Sequence, residues 1–477
     1  MKIHKILIFI SLILISLTLL CLFFPQNGIH FFGRRLFFPS LEEVLVKEKS
    51  VSVTEKMAKL EEDLKFKQLQ DSISDAADKA HQDSLRFYRN FFAKHPARFY
   101  LPNNDLNFFN SLFLAMENCE KDTSIVHILH YGDSQIEEDR ITGYIRQKLQ
   151  EQFGGIGAGL LPAVQPIPSA AVGQSASENI ERFIIAGMHQ NSAGHNRYGI
   201  LGQMAKVTDN GNISFSARNY SRTFDNTKLW TNVRLFVGEN SDNFSATLTA
   251  KNYSSTKRIE NQSNSPQILS WQLNDSVKNC AISFSGSAEL TAVSLDGKFG
   301  VNVDNIPLRG SSGTFFTQID EKSVVSALKE LNVKMIMLEF GGNMLTGLNE
   351  KGVPKYMESL KKQIEHFQKI FPQAKIVLIG PSDMSKTVSG KLQTYPILPS
   401  VVKAMREMAI ENGAAFWDMY EVMGGHNSML AWVKERPALA APDYIHFTPK
   451  GADKIAELFY EAFNNYYEYY KLNKKSE

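Results

Sequence analysis

The feature that most constrains the fold of this chain is a repeated alternation of apolar strands with amphipathic helices. The segments SIVHILHY, VKMIMLEF, AKIVLIG and AAFWDMY are mostly apolar along their whole length, and helical sequences such as KYMESLKKQIEHFQKIF lie between them. Strands without a polar alternation are typical of parallel sheets that helices cover on both faces. The sequence therefore predicts an α/β fold.

A stretch with a different pattern interrupts this alternation between about Pro166 and Asp296. Its segments LWTNVRLFVG, FSATLTAKN, ILSWQL, CAISFSG and AELTAVSLDG are short, alternate apolar with polar residues and are separated by Asn, Ser and Gly turns. We predict an all-β sandwich, residues 165–298, inserted into an α/β domain made of residues 87–164 and 299–470. One mixed domain is the alternative; an insertion is favoured because the parallel pattern resumes intact afterwards.

The N-terminus carries nineteen uncharged, mostly apolar residues from Ile6 to Phe24. At about 1.5 Å per residue, such a helix is long enough to cross roughly 30 Å of hydrocarbon. We predict an uncleaved membrane anchor, residues 1–25, with a cleaved signal peptide as the alternative. Residues 26–86 are predicted to form a helical juxtamembrane linker that acts as a solvated spacer rather than a short coiled coil. Residues 471–477 form a charged tail.

Composition excludes some classes of function. The formal net charge of +2 gives no reason to propose a nucleic-acid partner. Three cysteines do not make a disulfide scaffold, and Cys119 and Cys280 could either pair or remain two buried thiols. No Cys/His cluster has metal-ligand spacing, so we predict neither a structural metal nor a cofactor.

Ser134 lies where the first apolar strand ends, in the sequence HYGDSQIEEDR. A strand-to-helix turn places a side chain at the carboxyl edge of a parallel sheet, where such folds bind ligands. It also brings backbone N–H groups and the positive end of a helix dipole close to the hydroxyl, which suits a developing negative charge. Taken alone, Asp-Ser before a helix is more often an ordinary helix cap. Ser134 is therefore either a cap or a nucleophile.

Asp443 and His446 are three residues apart in APDYIHFTPKG, just before the last helix. In a turn both side chains can face the same way, so that the carboxylate orients the imidazole. Histidine suits general-base chemistry because its usual pKa lies near neutrality. A solvated loop is the alternative. With Ser134, the chain order Ser…Asp…His matches one known order of the hydrolase triad.

Two further stretches follow strands at the same predicted edge. Asn343, in LEFGGNML, could donate its amide to an oxyanion, and the preceding glycines let the backbone approach closely. Gly310, in NIPLRGSSG, could supply a further backbone N–H. Taken alone, the Asn343 stretch is more often a simple Gly-Gly-Asn turn, and the Gly310 stretch is the weakest of the four because loop glycines are common. Together with the Ser134 N–H they make a candidate oxyanion site.

These four stretches, in this order, resemble the SGNH (GDSL-type) hydrolase superfamily. The matching blocks are Gly132-Asp133-Ser134, Gly310, Gly341-Gly342-Asn343 and Asp443-Tyr444-Ile445-His446. The resemblance covers roughly Phe87 to Phe463 apart from the insert. It implies a flavodoxin-like sheet of five parallel strands and no metal, with Ser134, Asp443 and His446 as the catalytic residues.

Two residues depart from the usual blocks, and both changes leave the catalytic groups in place. Gln135 replaces the Leu that usually follows the serine, and Met344 replaces the Asp that often follows the asparagine. Both suggest a distinct subfamily with a differently lined pocket.

More narrowly, HYGDSQIEEDR, RGSSG and DYIHFTPKG resemble bacterial cell-envelope members related to peptidoglycan O-acetylesterases. In those relatives an inserted β-sandwich resembles a carbohydrate-binding module. The resemblance implies a membrane-tethered esterase on the extracytoplasmic side that acts on acetylated cell-wall or surface polysaccharide. An O-acetyltransferase with the same acyl-enzyme and a non-catalytic glycan-binding protein are the two alternatives. The glycan, the acyl group and the oligomeric state stay open.

Other polar residues near the predicted edge are weaker candidates. Trp417, Asp418, Met423 and His426 could line a pocket or lie in core and loop, and for Trp417 we predict the core. Asp383 could lie at the edge or cap a turn. His127 and His130 share one strand, but their odd spacing puts them on opposite faces, which argues against a metal pair.

Overall fold

The computed structural model describes residues 3–25, 29–31, 34–36, 38, 53–70, 77–220, 224–263, 265–325 and 330–474. The chain divides into two units, residues 1–61 and 62–477. The helices are α1 Ile3–Phe23, α2 Val53–Gln70, α3 Ala77–Lys94, α4 Asn110–Asn118, α5 Thr142–Phe153, α6 Glu321–Val325, α7 Val353–Ile370, α8 Leu398–Glu411, α9 Met419–Val422, α10 Ser428–Lys434 and α11 Pro449–Lys474.

The strands fall into a short hairpin near the N-terminus, two antiparallel sheets, one mainly parallel sheet and a second hairpin. They are β1 Ile29–Phe31, β2 Arg34–Leu36, β3 Phe99–Tyr100, β4 Ile125–Gly132, β5 Gly159–Leu161, β6 Val172–Ala176, β7 Ile180–Ile184, β8 Gln203–Val207, β9 Gly211–Ala217, β10 Trp230–Asn240, β11 Phe244–Ala250, β12 Tyr253–Ile259, β13 Gln267–Val277, β14 Asn279–Ser285, β15 Ala288–Asp296, β16 Gly300–Pro307, β17 Asn332–Glu339, β18 Lys375–Ile379, β19 Ser385–Val388, β20 Lys391–Thr394 and β21 Ala415–Trp417.

The first unit contains α1, whose side chains are almost all exposed, and the antiparallel pair of β1 and β2. Helix α1 is long and apolar enough to cross a membrane, and an N-terminal signal sequence would have the same properties. Part of the predicted linker, including all of residues 39–52, lies outside the described residues.

The parallel sheet has the order β16-β4-β17-β18-β21, with β3 added at the edge beside β21. The α/β prediction is confirmed, but the sheet has six strands rather than five. The extra strand β3 runs antiparallel and pairs Phe99 with Trp417 and Tyr100 with Phe416. Along the chain the five parallel strands occur in the spatial order second, first, third, fourth, fifth. Gly132 at the end of β4 lies opposite Pro307 of β16 and Glu339 of β17, so these three strands end at one edge.

Strands β5 to β15 form the predicted all-β region as two antiparallel sheets. One, which we call the inner sheet, has the order β13-β10-β15-β8-β7, with β5 also paired to β15; the other, the outer sheet, has the order β12-β11-β14-β9-β6. A common apolar core, which includes Trp230, Trp271 and Phe244, lies between the two sheets. Because β5 already pairs with the inner sheet at residues 159–161, strands of the insert begin before residue 165; the predicted domain limits stay a prediction.

The inner sheet also packs against the α/β part through its other face. Phe236 of β10 and Ala292 of β15 share an apolar cluster with Tyr131 of β4. All nine residues of β15 are buried as a result. The insert therefore forms a structural layer on the parallel sheet.

Helix α3 crosses the boundary predicted at residue 86 between the linker and the α/β domain, and Leu85 on the linker side of that boundary is buried. The apolar face of this helix is buried: the Phe92 ring stacks on Tyr466 of α11 with centroids 4.1 Å apart, and Tyr88 meets Tyr469 edge-on at 6.4 Å. The spacing of apolar residues around Leu85 and Tyr88 thus reflects packing on the C-terminal helix. The aromatic face of that helix is buried as far as Tyr470.

Candidate active site

The hydroxyl of Ser134, the imidazole of His446 and the carboxylate of Asp443 form one chain of hydrogen bonds. Ser134 Oγ lies 2.9 Å from His446 Nε2, and His446 Nδ1 lies 2.7 Å from Asp443 Oδ2. In the Nδ1–H tautomer, Ser134 donates to Nε2 and the imidazole donates to Asp443. Residues from two distant parts of the sequence thus meet at the carboxyl edge of the parallel sheet.

The loop before α11 holds the Asp443–His446 pair through its own backbone. Asp443 Oδ1 accepts the Ile445 N–H at 2.9 Å and the His446 N–H at 3.0 Å, which leaves Oδ2 for the imidazole. Tyr444 adopts a left-handed φ of +59°, which closes this turn. The three-residue spacing of Asp443 and His446 therefore depends on one tight turn.

Gln135 joins the turn that carries Ser134 to the loop that carries His446. Its side-chain amide Nε2 donates to the Ile445 carbonyl at 2.8 Å, and its Oε1 accepts the Phe447 N–H at 3.4 Å. The two bonded residues flank His446 on both sides. Gln135, which replaces the usual Leu after the serine, therefore links the serine turn to the histidine loop by hydrogen bonds. It also lines the cavity.

Ser134 does not cap a helix. Helix α5 begins at Thr142 rather than directly after the serine, and a short 3-10 turn, Glu137–Asp139, intervenes. Glu138 and Asp139 have left-handed φ values of +58°, which separate this turn from α5. The hydroxyl contacts His446 instead, so the helix dipole is farther from it than the sequence suggests.

Gly310 and Asn343 line the same cavity as Ser134 and His446. The cavity has a volume of about 670 Å³. The backbone N–H groups of Ser134 and Gly310 donate to no other residue within the described parts of the chain. The Asn343 amide Nδ2, in contrast, donates to Asp133 Oδ2 at 2.7 Å and to the Ser311 carbonyl at 3.1 Å. Asn343 is therefore at the predicted place, but both of its amide hydrogens already have acceptors.

Two carboxyl groups of the site have opposite electrostatic environments. Burial raises the pKa of Asp133 to about 7, and the nearby Glu339 and Glu137 act in the same direction against the Gln135 N–H bond. For Asp443, burial alone would raise the pKa, but the bonds from the His446 side chain and the backbone N–H groups of His446 and Ile445 outweigh it and lower the pKa. Asp443 is thus the carboxylate suited to stay charged beside an imidazolium.

Sequence reasoning missed an ion pair at the rim of the cavity. Glu137 is fully buried, and Arg309 binds it with two parallel bonds, from Nε to Oε1 at 2.6 Å and from Nη2 to Oε2. Glu137 is three residues after Ser134 and Arg309 is next to Gly310. The sequence shows one charged residue near each of these motifs, but it gives no sign that the two side chains form an ion pair with each other.

Several weaker candidates lie outside the cavity lining. Trp417 is fully buried and donates to the Ala97 carbonyl at 3.0 Å, as a core residue does. Asp418 caps α9, Met423 is buried and His426 is exposed. None of these four lines the cavity, whereas Met419 does.

Asp383 is also structural, because it connects the β19–β20 hairpin to α10. It accepts bonds from Thr394 Oγ1 and the Met429 N–H, both at 2.8 Å.

The two histidines of β4 point to opposite faces of the sheet, as their spacing predicts. His127 contacts Asp304 at 2.9 Å, and His130 contacts Glu339 at 3.1 Å. No group of three or more metal-ligating side chains occurs within the described ranges. Cys119 and Cys280 are both buried and free rather than paired.

Comparison with known proteins found one family model that matches part of the chain. Residues 272–454 match the model of the GDSL-like Lipase/Acylhydrolase family. This range contains Gly310, Asn343, Asp443 and His446, whereas Ser134 precedes it because the insert separates the two parts. A comparison with curated proteins found no match.

Among solved structures, the chain is similar to one described as "Peptidoglycan O-acetylesterase in action, 5 min". The sequences are 19% identical, the match covers 75% of this chain and 95% of that one, and the TM-score is 0.60. A putative GDSL-like lipase from Parabacteroides merdae also matches, with 19% identity, 35% of this chain, 74% of that chain and a TM-score of 0.27. At these identities the first likeness shows a shared fold.

Proposed function

We propose that the chain is a membrane-tethered serine esterase that removes O-acetyl groups from a cell-envelope polysaccharide. The chain carries a GDSL-type acylhydrolase domain and is therefore a carboxylic ester hydrolase. The observation that carries this proposal is the chain of two hydrogen bonds from Ser134 through His446 to Asp443, 2.9 Å and 2.7 Å long. A non-catalytic glycan-binding protein would have no need of this arrangement.

In the first half of the reaction, Ser134 Oγ attacks the carbonyl carbon of the acetyl ester. His446 Nε2 takes the hydroxyl proton, and Asp443 Oδ2 accepts the Nδ1–H and stabilises the resulting imidazolium. His446 then gives the proton to the sugar oxygen as the ester C–O bond breaks. The sugar leaves with its free hydroxyl, and the acetyl group stays on Ser134.

The negative charge that develops on the carbonyl oxygen needs donors in fixed positions. The N–H groups of Ser134 and Gly310 are the best placed, because both belong to the cavity lining and neither has an acceptor in the described structure. The Asn343 amide would be a third donor once the oxyanion replaces Asp133 or the Ser311 carbonyl as its acceptor. This exchange is part of the proposal.

In the second half, water replaces the sugar. His446 Nε2 removes one proton from the water while the water oxygen adds to the acetyl carbonyl, and this proton passes to Ser134 Oγ as acetic acid leaves. The second water proton leaves with the acetic acid, which ionises to acetate in solution. Each half returns the imidazole to its starting state, so no other reactant is consumed.

The substrate class rests on three supports of different kinds. A cavity of about 670 Å³ is within the range of sites that take small organic ligands. The solved structure with the TM-score of 0.60 is described as a peptidoglycan O-acetylesterase. Helix α1 could tether the rest of the chain to a membrane, which would place it near an envelope polymer.

The proposal is tested by incubating the purified full chain, in detergent, with O-acetylated peptidoglycan and with an aryl acetate, and by following free acetate. We expect acetate from both substrates, and no loss of acetate when deacetylated glycan is added as an acceptor. Transfer of acetyl to the added glycan at the expense of free acetate would show an O-acetyltransferase instead. Absence of acetate release from either substrate would contradict the esterase.

A further inference from the structure

A loop of the insert contacts the peptide unit that carries the Gly310 N–H. The Met188 N–H, in the segment between β7 and β8, donates to the Arg309 carbonyl at 2.7 Å. The Arg309 C=O and the Gly310 N–H belong to the same peptide unit, which is trans. In a planar trans peptide these two groups point in opposite directions. The bond to the insert therefore fixes the direction of the N–H on the other side of the unit.

The close approach of this loop requires glycine at position 187. Gly187 has a φ of +92°, and a Cβ atom there would lie only 2.4 Å from the Arg309 oxygen. The loop itself is closed by two backbone bonds between Ile184 and Asn191, at 3.0 Å and 2.9 Å. The insert thus presents a rigid turn to the Arg309 carbonyl.

The remaining parts of the Arg309 backbone and side chain are held by the α/β part. The Leu308 N–H donates to the Gly132 carbonyl at 2.8 Å, which extends the pairing of β16 with β4 up to the Ser134 motif. The Arg309 guanidinium binds the buried Glu137. Because Leu308 and the Arg309 side chain are held in this way, the bond from Met188 is the contact that orients the Arg309–Gly310 peptide.

We propose that the insert is a positioning element of the active site: its Met188 N–H orients and polarises the Arg309–Gly310 peptide so that the Gly310 N–H points at the ester oxyanion. A hydrogen bond to the carbonyl of a peptide makes its N–H a stronger donor. This inference rests on the proposed esterase function and deepens it. The insert then acts on turnover of any ester, including one that carries no sugar.

Two pairs of variants test this inference on the full chain, with an aryl acetate as the substrate. In the first pair, Gly187→Ala forces a methyl group against the Arg309 oxygen. Gly194→Ala is its control, because Gly194 has a similar φ of +76° but a Cβ there meets nothing within 4 Å. In the second pair, Met188→Pro removes the N–H donor, and Met188→Ala keeps it while also removing the side chain.

We expect kcat to fall by on the order of 10- to 100-fold in Gly187→Ala relative to Gly194→Ala, and in Met188→Pro relative to Met188→Ala, because losing one oxyanion donor costs about 100- to 1,000-fold. KM should change less than about threefold, since the donor acts on the transition state. A purely structural loop would not give this split between kcat and KM.

The outcomes separate this inference from the proposed function. If the wild-type chain is active and Ser134→Ala is not, but both test variants keep the kcat of their controls, the insert does not position Gly310 and the esterase proposal stands. Loss of the fold in both test variants, seen as absent thermal transitions, would also contradict the inference, because it requires a local contact. An inactive wild-type chain contradicts the proposed function itself.

Discussion

The two sheets of the insert bury their strands very differently. In β15 of the inner sheet all nine residues are buried, whereas in β14 of the outer sheet buried and exposed or half-buried residues alternate. The alternating strand has one face in the core and one in solvent, while the other strand lies between two cores. At β15 the inner sheet is therefore a layer of the α/β part as well as of the insert, whereas β14 of the outer sheet keeps one face in solvent.

The polar contacts of the two sheets also differ in burial. On the inner sheet, Arg234 donates to Asp296 at 2.7 Å and contacts His127 of β4 at 3.1 Å, all three buried. On the outer sheet, Thr247 and Thr256 bond to each other at 2.8 Å on the exposed face. A buried charge needs its partner far more than an exposed hydroxyl does. The following predictions use this contrast.

The two buried cysteines report on the two regions separately, since Cys119 lies in the α/β part and Cys280 in the insert. In a Cys21→Ser background, both thiols should react with a thiol reagent at least about 1,000-fold more slowly than in the unfolded chain, because reaction requires global unfolding. Peptide mass spectrometry across a denaturant series should show both becoming reactive at one concentration. Earlier reaction of Cys280 would show an insert that opens independently.

Replacing the buried cation of the inner sheet should strongly destabilise the insert. Arg234→Met leaves Asp296 buried without a cation, which should lower the free energy of unfolding by about 3–5 kcal/mol. Denaturant unfolding measures this change. The double variant Arg234→Met/Asp296→Leu should recover part of it, because no unpaired charge remains. A loss below about 1 kcal/mol in the single variant would mean that the inner sheet is solvated.

Asp133 gives the converse case, a buried carboxyl of the α/β part without a paired cation. Its folded pKa of about 7 lies above its usual value of 3.8. Between pH 4 and 7 the folded protein therefore holds this proton more tightly than the unfolded chain, and the contribution of Asp133 to the free energy of unfolding falls as pH rises, by at most about 1.4 kcal/mol per unit. Asp133→Asn should flatten this slope, whereas Asp122→Asn, an exposed control, should not. Identical slopes in wild type and Asp133→Asn would contradict the assignment.

The smallest effect is expected on the free face of the outer sheet. Thr247→Val keeps the β-branched shape and removes one exposed hydroxyl, so the free energy of unfolding should change by less than about 0.5 kcal/mol. The same denaturant experiment measures it. A loss comparable to that of Arg234→Met would show that this face is covered, and the contrast between the sheets would fail.

The positions of the site residues could be predicted from the sequence where these residues lie next to the end of a strand or the start of a helix. Ser134, Asn343 and the Asp443–His446 pair each follow or precede an element with clear periodicity, so their common edge could be predicted. The roles of these residues stay a prediction, although the structure brings them together. The sequence supports Gly310 least, because glycine occurs in loops for many reasons, yet it lies in the same cavity.

The parts that could not be predicted depend on contacts between distant segments. The edge strand β3 has only two residues, too few for a periodic signal. The Glu137–Arg309 ion pair joins segments 172 residues apart, and the Met188–Arg309 bond uses backbone atoms that every residue has. The break before α5 arises from left-handed φ values at Glu138 and Asp139, and such values are uncommon in residues other than glycine.

The most direct test of the account is the rate of acetate release by Ser134→Ala, compared with Ser283→Ala, an exposed serine of the outer sheet. We predict that kcat for an aryl acetate falls on the order of 10⁶-fold in Ser134→Ala, as in other serine triads, and is unchanged in Ser283→Ala. A serine-directed phosphonate should modify Ser134 alone in the wild-type chain. Near-normal acetate release by folded Ser134→Ala would contradict the account.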